Sequence, residues 1–164
     1  IAGINAAQHF VLACPAEELA AVEAELKRRE IVFQRLPVPF AFHSRWIEPA
    51  GPACRAAFAR QGAEAPFWPV WSSCTGAPTL PEAPDLAWRI VREPMRVRAT
   101  VEALEARGGA FYLDLSPSGT LAALIRQSLP RASRSRVAAI LSPFGGNLKR
   151  LQSVLDDLKA LAAD

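Results

Sequence analysis

Fourteen prolines and nine glycines spread over 164 residues imply many breaks in whatever helices and strands the chain forms. Proline fixes φ and removes a backbone donor, and glycine loosens the chain, so each punctuates whatever element it meets. Between the breaks, stretches rich in Ala, Leu, Glu and Arg alternate with short apolar runs. This predicts an α/β chain of short strands and short helices. With 51% hydrophobic and 21% charged residues it has the composition of a folded core rather than of a disordered segment. Its length is that of one ordinary domain. The chain opens on Ile1 rather than Met, in an apolar run with no leader before it, which reads as a piece excised or processed from something larger.

Ile1 to Asn5 and His9 to Ala13 read as strands around a turn at Ala6-Ala7-Gln8. Pro15 opens a helix with Glu17 and Glu18 in its first turn and Lys27-Arg28-Arg29 in its last, an arrangement that suits the helix dipole. Leu19, Val22 and Leu26 form its apolar stripe. Ile31-Val32-Phe33 resumes a strand, giving ββαβ. The segment Pro37 to Ser44 is extended, because its prolines exclude helix. A helix from about Glu48 to Arg60 buries Ala57 and Phe58, and Trp68 to Ser73 is a short buried strand. Leu86 to Val91 and Val97 to Arg107 are helices, the second ended by Gly108-Gly109. Phe111 to Leu115 is a strand, followed by a helix with Ser116 as N-cap and Pro117 at its first position that buries Leu121, Leu124 and Ile125. Val137 to Leu141 is the last strand, and Leu148, Leu151, Leu155, Leu158 and Leu161 stripe a terminal helix.

The formal charge is +3. The basic clusters at Lys27-Arg28-Arg29 and Arg131 to Arg136 lack interleaved aromatics, which argues against a nucleic-acid surface. They read as a solvated helix end and loop, the second with an acidic protein partner as the alternative. Cys14, Cys54 and Cys74 are lone cysteines, which favours a reducing, cytoplasmic setting over a disulfide framework or a zinc site. With two histidines, no metal site is expected. No apolar stretch approaches the ~20 residues of a membrane span, so no membrane partner is expected either.

His43 stands out chemically. It ends the apolar segment Phe40-Ala41-Phe42, and an imidazole titrates near working pH, so it is a candidate base as well as a candidate structural histidine. Ser44 points away or caps the next helix. His9, mid-strand with no acidic or thiol neighbour, reads as surface or structural. A base needs a nucleophile, and the chain contains no Gly-x-Ser-x-Gly elbow. Ser116-Pro117-Ser118-Gly119 is its nearest imitation.

Five segments in order resemble one family. Ile1-Ala2-Gly3-Ile4-Asn5 is similar to an "A-x-x-N-x-P" opening, and Leu36-Pro37-Val38-Pro39-Phe40-Ala41-Phe42-His43-Ser44 to "L-P-V-x-x-A-F-H-S". Val70 to Gly76 resembles "V-x-S-x-x-T-G", and Trp88 to Arg96 resembles "W-x-x-x-x-R-E-P-V-R". Tyr112 to Leu121 resembles "F-x-E-x-G-P-x-x-x-L". The family is that of the malonyl-CoA:acyl-carrier-protein transacylases, including the acyltransferase domains of polyketide synthases, and the chain resembles its C-terminal half.

The resemblance implies an α/β-hydrolase-like body, of which residues 37–164 would be the C-terminal part. It also implies a ferredoxin-like small subdomain, most of which residues 1–36 would supply. It implies transfer of a malonyl-type extender from acyl-CoA through a serine to the phosphopantetheine thiol of an acyl carrier protein, with no bound cofactor. His43 matches the catalytic base. Phe40, Phe42 and Asn5 would touch substrate, and a backbone carbonyl at about Ile90 would orient the imidazole. The tetrad Phe40-Ala41-Phe42-His43 resembles the "H-A-F-H" of malonyl users, and bulky Phe42 would crowd an α-methyl branch. The departures are Ala7 for proline, Ala13-Cys14 for Ser-Gly, Ile90 for a polar residue, and Ser116 for glycine. The serine, the carboxylate-binding arginine and the oxyanion-hole loop would come from a missing N-terminal half, without which the chain is expected to be inactive. An acyl-carrier hydrolase of a polyketide pathway and a non-catalytic carrier-protein docking module are the alternatives.

Overall fold

A computed structural model describes residues 1–61, 64–80 and 85–163. Mixed helix and strand are found as expected, in two compact units. Residues 1–4 with 9–96 make the first, and 5–8 with 97 onward the second.

Two short strands open the chain, β1 (Gly3–Ala6) and β2 (His9–Val11), and the first unit holds the start of β1 and all of β2. A 3-10 turn at Ala16–Glu18 leads into α1 (Leu19–Arg28), whose Leu19, Val22 and Leu26 are its partly buried face. Glu25 pairs with both Arg28 and Arg29 at 2.6 Å.

The strand expected at Ile31-Val32-Phe33 does not form. Glu30 takes a left-handed φ of 56°, and the Ile31 N–H is spent closing the helix on the Leu26 carbonyl at 2.9 Å, while Val32 is 99% exposed. Helices commonly end this way, and the amide used for it is lost to sheet pairing. The ββαβ expectation therefore reduces to ββα.

Nor is the segment before His43 a strand. Val38 N–H donates to the Leu36 carbonyl and Phe42 N–H to the Phe40 carbonyl, which makes three-residue turns. Beyond it, a 3-10 turn (Arg45–Ala50) runs into α2 (Gly51–Phe58). Strand β3 (Trp71–Ser72) pairs antiparallel with β4 (Ala77–Pro78). It is shorter and more exposed than expected, with Trp68 outside it. Helix α3 (Leu86–Arg92) buries Leu86 and Trp88, and the Arg55 guanidinium lies 5.1 Å from the Trp88 ring centroid.

The second unit is a β-α-β crossover with two further helices. Helix α4 (Val97–Glu105) is closed by Gly108-Gly109, where the Gly109 N–H reaches back to the Leu104 carbonyl. Strands β5 (Phe111–Asp114) and β6 (Arg136–Ala139) pair in parallel, Phe111 opposite Arg136 and Asp114 opposite Ala139, joined through α5 (Thr120–Ser128). Val101, Tyr112 and Ile125 form the core, with Leu104, Leu129 and Val137 packed on it. The Glu105 carboxylate accepts from the hydroxyls of Tyr112, Ser133 and Ser135 at 2.6–2.8 Å. Those bonds, from Ser133 first, hold Glu105 below the usual carboxylate range.

Two expectations for this unit fail. Ser116 is not the cap of α5. The helix starts at Thr120 behind Gly119, whose φ of 66° suits glycine. The turn is tied instead by buried Asp114, whose two carboxylate oxygens accept from the N–H groups of Ser116 (2.7 Å) and Ala122 (2.8 Å). The later start leaves Leu121 43% exposed. On α6 (Asn147–Ala163) the helix turns Val154 inward, at 4% exposure, and the leucine stripe stays open, with Leu148 at 84%.

Burial works to raise the Asp114 pKa, but the N–H donors outweigh it and the carboxyl lies below its ordinary value. A lowered folded pKa gives stability that is present at neutral pH and lost as pH falls through it. Asp114→Asn replaces one acceptor with a donor facing N–H groups. Denaturant titration should show a loss of about 1–3 kcal/mol at pH 7. The gap to the parent chain should narrow below about pH 4.

Candidate active site

The site begins with a proline. Pro94 has no N–H to continue α3 and disfavours helical backbone at Glu93, which adopts φ −82°, ψ 150°. The helix therefore stops at Arg92, and its last carbonyls turn to other donors. Val91 accepts from the backbone N–H of His43 at 2.8 Å. The Glu93 carbonyl faces the His43 imidazole, Nδ1 to oxygen 3.2 Å.

A carbonyl only accepts, so Nδ1 carries the proton of the neutral ring and Nε2 is left as the basic atom. The carbonyl that faces the ring is thus that of Glu93. Ile90, the expected position, lies inside α3, three residues before Glu93.

His43 itself has φ 59°, a left-handed backbone that costs a non-glycine residue roughly 1–2 kcal/mol. Sharp reversal there, between the Phe40–Phe42 turn and the next 3-10 turn, brings the half-buried ring against the end of α3. Ser44 follows as that turn's cap. Its Oγ accepts from the Trp46 N–H at 3.2 Å and donates to the Ala41 carbonyl at 2.6 Å, so its hydroxyl is engaged locally.

His43 opens on a cleft of about 350 Å³ lined also by Arg45, Trp46, Arg92 and Pro94. The Arg45 guanidinium stacks 4.5 Å from the Trp46 centroid, and Arg92 is paired with Glu48. A larger hollow of about 460 Å³ lies in the second unit between β6 and α6, and no histidine or cysteine lines it.

The Glu93 carboxylate accepts from Arg89 Nε at 2.7 Å and lies 3.7 Å from Cys74 Sγ. The Arg89 bond is the main reason its carboxyl is held below the usual range, whereas burial chiefly pushes the Cys74 thiol up. Met95 exchanges backbone bonds with Ala2 and Ile4, and the Arg96 N–H donates to the Ser73 carbonyl.

Of the other expected site residues, Phe40 and Phe42 pack edge to face, 5.9 Å apart, at 62% and 39% exposure. Neither is among the lining residues of the cleft. Asn5 is buried in the other unit, where its carbonyl accepts from Ser128 Oγ at 3.2 Å. Sequence reasoning passed over the Glu93 carbonyl, although Pro94 directly after it was the available signal.

No protein-family model matches the chain. Among proteins of known name, it is 34% identical over 158 residues to the polyketide biosynthesis acyltransferase homolog BaeD of Bacillus velezensis, spanning 96% of this chain and 49% of that one. It is 36% identical over 151 residues to PksD of Bacillus subtilis, of the same description, spanning 92% of this chain and 47% of the relative. The chain thus spans about half the length of these relatives. Among solved structures, it superposes on the acyltransferase domain from module 8 of the salinomycin polyketide synthase with a TM-score of 0.82 at 20% identity, covering 94% of this chain and 37% of that one. A malonyl CoA-acyl carrier protein transacylase from Clostridium perfringens gives a TM-score of 0.69 at 17% identity, covering 89% of this chain and 45% of that one. At these identities the likeness to solved structures is one of fold.

The left-handed backbone at His43 is testable without any assay of activity. His43→Gly and His43→Ala both remove the imidazole, but only alanine keeps the strain. The glycine variant should be the more stable of the two by about 1 kcal/mol in denaturant unfolding. Equal midpoints would show that the strain is absent.

Proposed function

Because the chain is homologous to the acyltransferases of polyketide biosynthesis, we propose that it supplies the catalytic histidine of such an enzyme, moving a malonyl-type acyl group from CoA to an acyl carrier protein. The observation that carries this is the half-buried His43 at a cleft, with Nδ1 held by the Glu93 carbonyl and Nε2 left basic.

In the first half-reaction Nε2 takes the hydroxyl proton of a serine as its oxygen attacks the thioester carbon. The tetrahedral adduct collapses, the C–S bond breaks, and the imidazolium returns the proton to the CoA sulfur. In the second half-reaction Nε2 takes the proton of the carrier's phosphopantetheine thiol. The sulfur attacks the acyl-serine ester, and the proton goes back to the serine oxygen.

The 164 residues hold no Gly-x-Ser-x-Gly elbow. In this reading the serine, the oxyanion donors and the carboxylate-binding arginine come from the part of the relatives' length that the chain does not span, the N-terminal half. Phe67 at 89% exposure, Trp68 at 74% and Leu148 at 84% support apolar surface being available for such polypeptide. Residues 1–36 would then enter a ferredoxin-like subdomain and 37–164 an α/β-hydrolase-like body, in the cytoplasm where acyl-CoA is found. Phe40 and Phe42 are proposed to shape the acyl site. No helix among the described residues is long and apolar enough to cross a membrane.

The test is intact-mass spectrometry with malonyl-CoA, using the chain alone and then with a polypeptide matching the relatives' other half. The chain alone should form no adduct. The pair should gain one acyl group and pass it to a carrier protein, and His43→Ala should slow this by about 10²–10⁴-fold. Decay of the adduct to free acid in the presence of carrier makes the enzyme a hydrolase. Association without any adduct leaves only carrier-protein docking. In the active pair, Phe42→Ala should raise the α-methylmalonyl to malonyl ratio of kcat/KM by about 10-fold or more.

A further inference from the structure

Beyond the imidazole and its carbonyl lie the side chains of the residue that carries that carbonyl. The Glu93 carbonyl sits on the first residue after α3, where Pro94 keeps the backbone out of the helical region but leaves it the breadth of the extended one. Here the residue is held from both sides. Its carboxylate receives Arg89 Nε at 2.7 Å from one turn back on α3, and its other oxygen lies 3.7 Å from the buried Cys74 Sγ beyond β3. Desolvation keeps the Cys74 thiol protonated, so the S–H is available to donate. Arg96 closes the far side, its guanidinium donating to the Cys74 carbonyl at 3.0 Å and its N–H to Ser73 at 2.7 Å. Both oxygens of the Glu93 side chain are thus engaged, on the residue whose own carbonyl meets the ring.

We propose that Glu93, clasped by Arg89 and Cys74, is a positioning residue that sets the tautomer of His43. As a catalytic device this rests on the acyltransferase reading, but the positioning itself does not. Loosening the clasp lets the carbonyl swing away from Nδ1, after which the neutral ring places its proton on either nitrogen. The Nε2–H form cannot accept a proton there, so part of the population becomes unable to act as base. An ordinary packing residue would lower stability and leave the tautomer alone.

Two histidines in the chain make the measurement simple. In ¹⁵N-labelled chain above the imidazole pKa, nitrogen shifts report which ring atom carries the proton, with His9→Gln assigning the signals. The parent should show His43 protonated on Nδ1. Glu93→Ala should lose that signature, moving both nitrogens toward the averaged shifts of a mixed ring. Arg89→Met, at a side chain that is 43% exposed, should do so partly while staying folded by circular dichroism. Glu93→Gln, which still accepts from Arg89, should restore most of it. Unchanged Nδ1–H signals in folded Arg89→Met and Glu93→Ala overturn the proposal. A shifted tautomer in a chain that never supports acyl-enzyme formation upholds the clasp and sinks the acyltransferase reading. In an active pair, Arg89→Met should lower kcat by up to about a hundredfold with little change in KM.

Discussion

A missing hydrogen organises the first unit. Pro94 cannot donate to the Ile90 carbonyl, and its ring excludes helical backbone at Glu93, so α3 ends there. An ended helix has carbonyls that need donors. Two of those available at this end, from Val91 and Glu93, are taken by one residue, His43, through its backbone N–H and its ring. The residues after Pro94 leave in extended form, and Met95 bonds to Ala2 and Ile4. The histidine, the N-terminal strand and the end of α3 are thus held by the same interruption. The left-handed conformation of His43 is the cost of presenting both donors to that end at once.

The second unit rests on carboxylates in place of a helix end. Asp114 ends β5 and ties the N–H groups of Ser116 and Ala122, fixing the turn between strand and helix. Glu105 ends α4 and gathers three hydroxyls from β5 and from the loop before β6. Each is a local acceptor for donors that a two-stranded parallel sheet leaves over, and each is held in its charged form by those donors.

What could be read from the sequence follows from this physics. The helices at Leu19–Arg28, Leu86–Arg92 and Val97–Glu105, and the strand pair of Phe111–Asp114 with Arg136–Ala139, were legible because apolar periodicity, end charges and glycine stops agree there. Ser44 as a cap was legible because a hydroxyl before a turn has few better uses. Failures came where one backbone bond outweighed composition. Ile31-Val32-Phe33 has strand propensity, but the Ile31 amide closes α1. Ser116 looks like a cap, but Asp114 two residues earlier has two oxygens to offer and moved the helix start to Thr120. The leucines of α6 carry helical spacing but are not its buried face, since periodicity tells which residues align and not what meets them.

The site was half legible for a deeper reason. An imidazole oriented by a carboxylate announces its partner as Asp or Glu, whereas one oriented by a carbonyl announces nothing, since every residue has one. His43 could be picked out as chemistry, but its partner could only be placed once the end of α3 was known to within a residue, and such ends are the least certain feature of a sequence reading. A backbone orienter also moves the burden of specificity. The atom touching His43 does not depend on side-chain identity, so whatever keeps that atom in place must lie in the side chains around it. The Glu93 carboxylate contacts Arg89 and Cys74 rather than the imidazole. A charged side chain placed at a helix terminus and engaged by Arg89 and Cys74 is better explained by what its own peptide has to hold than by any direct part in proton transfer.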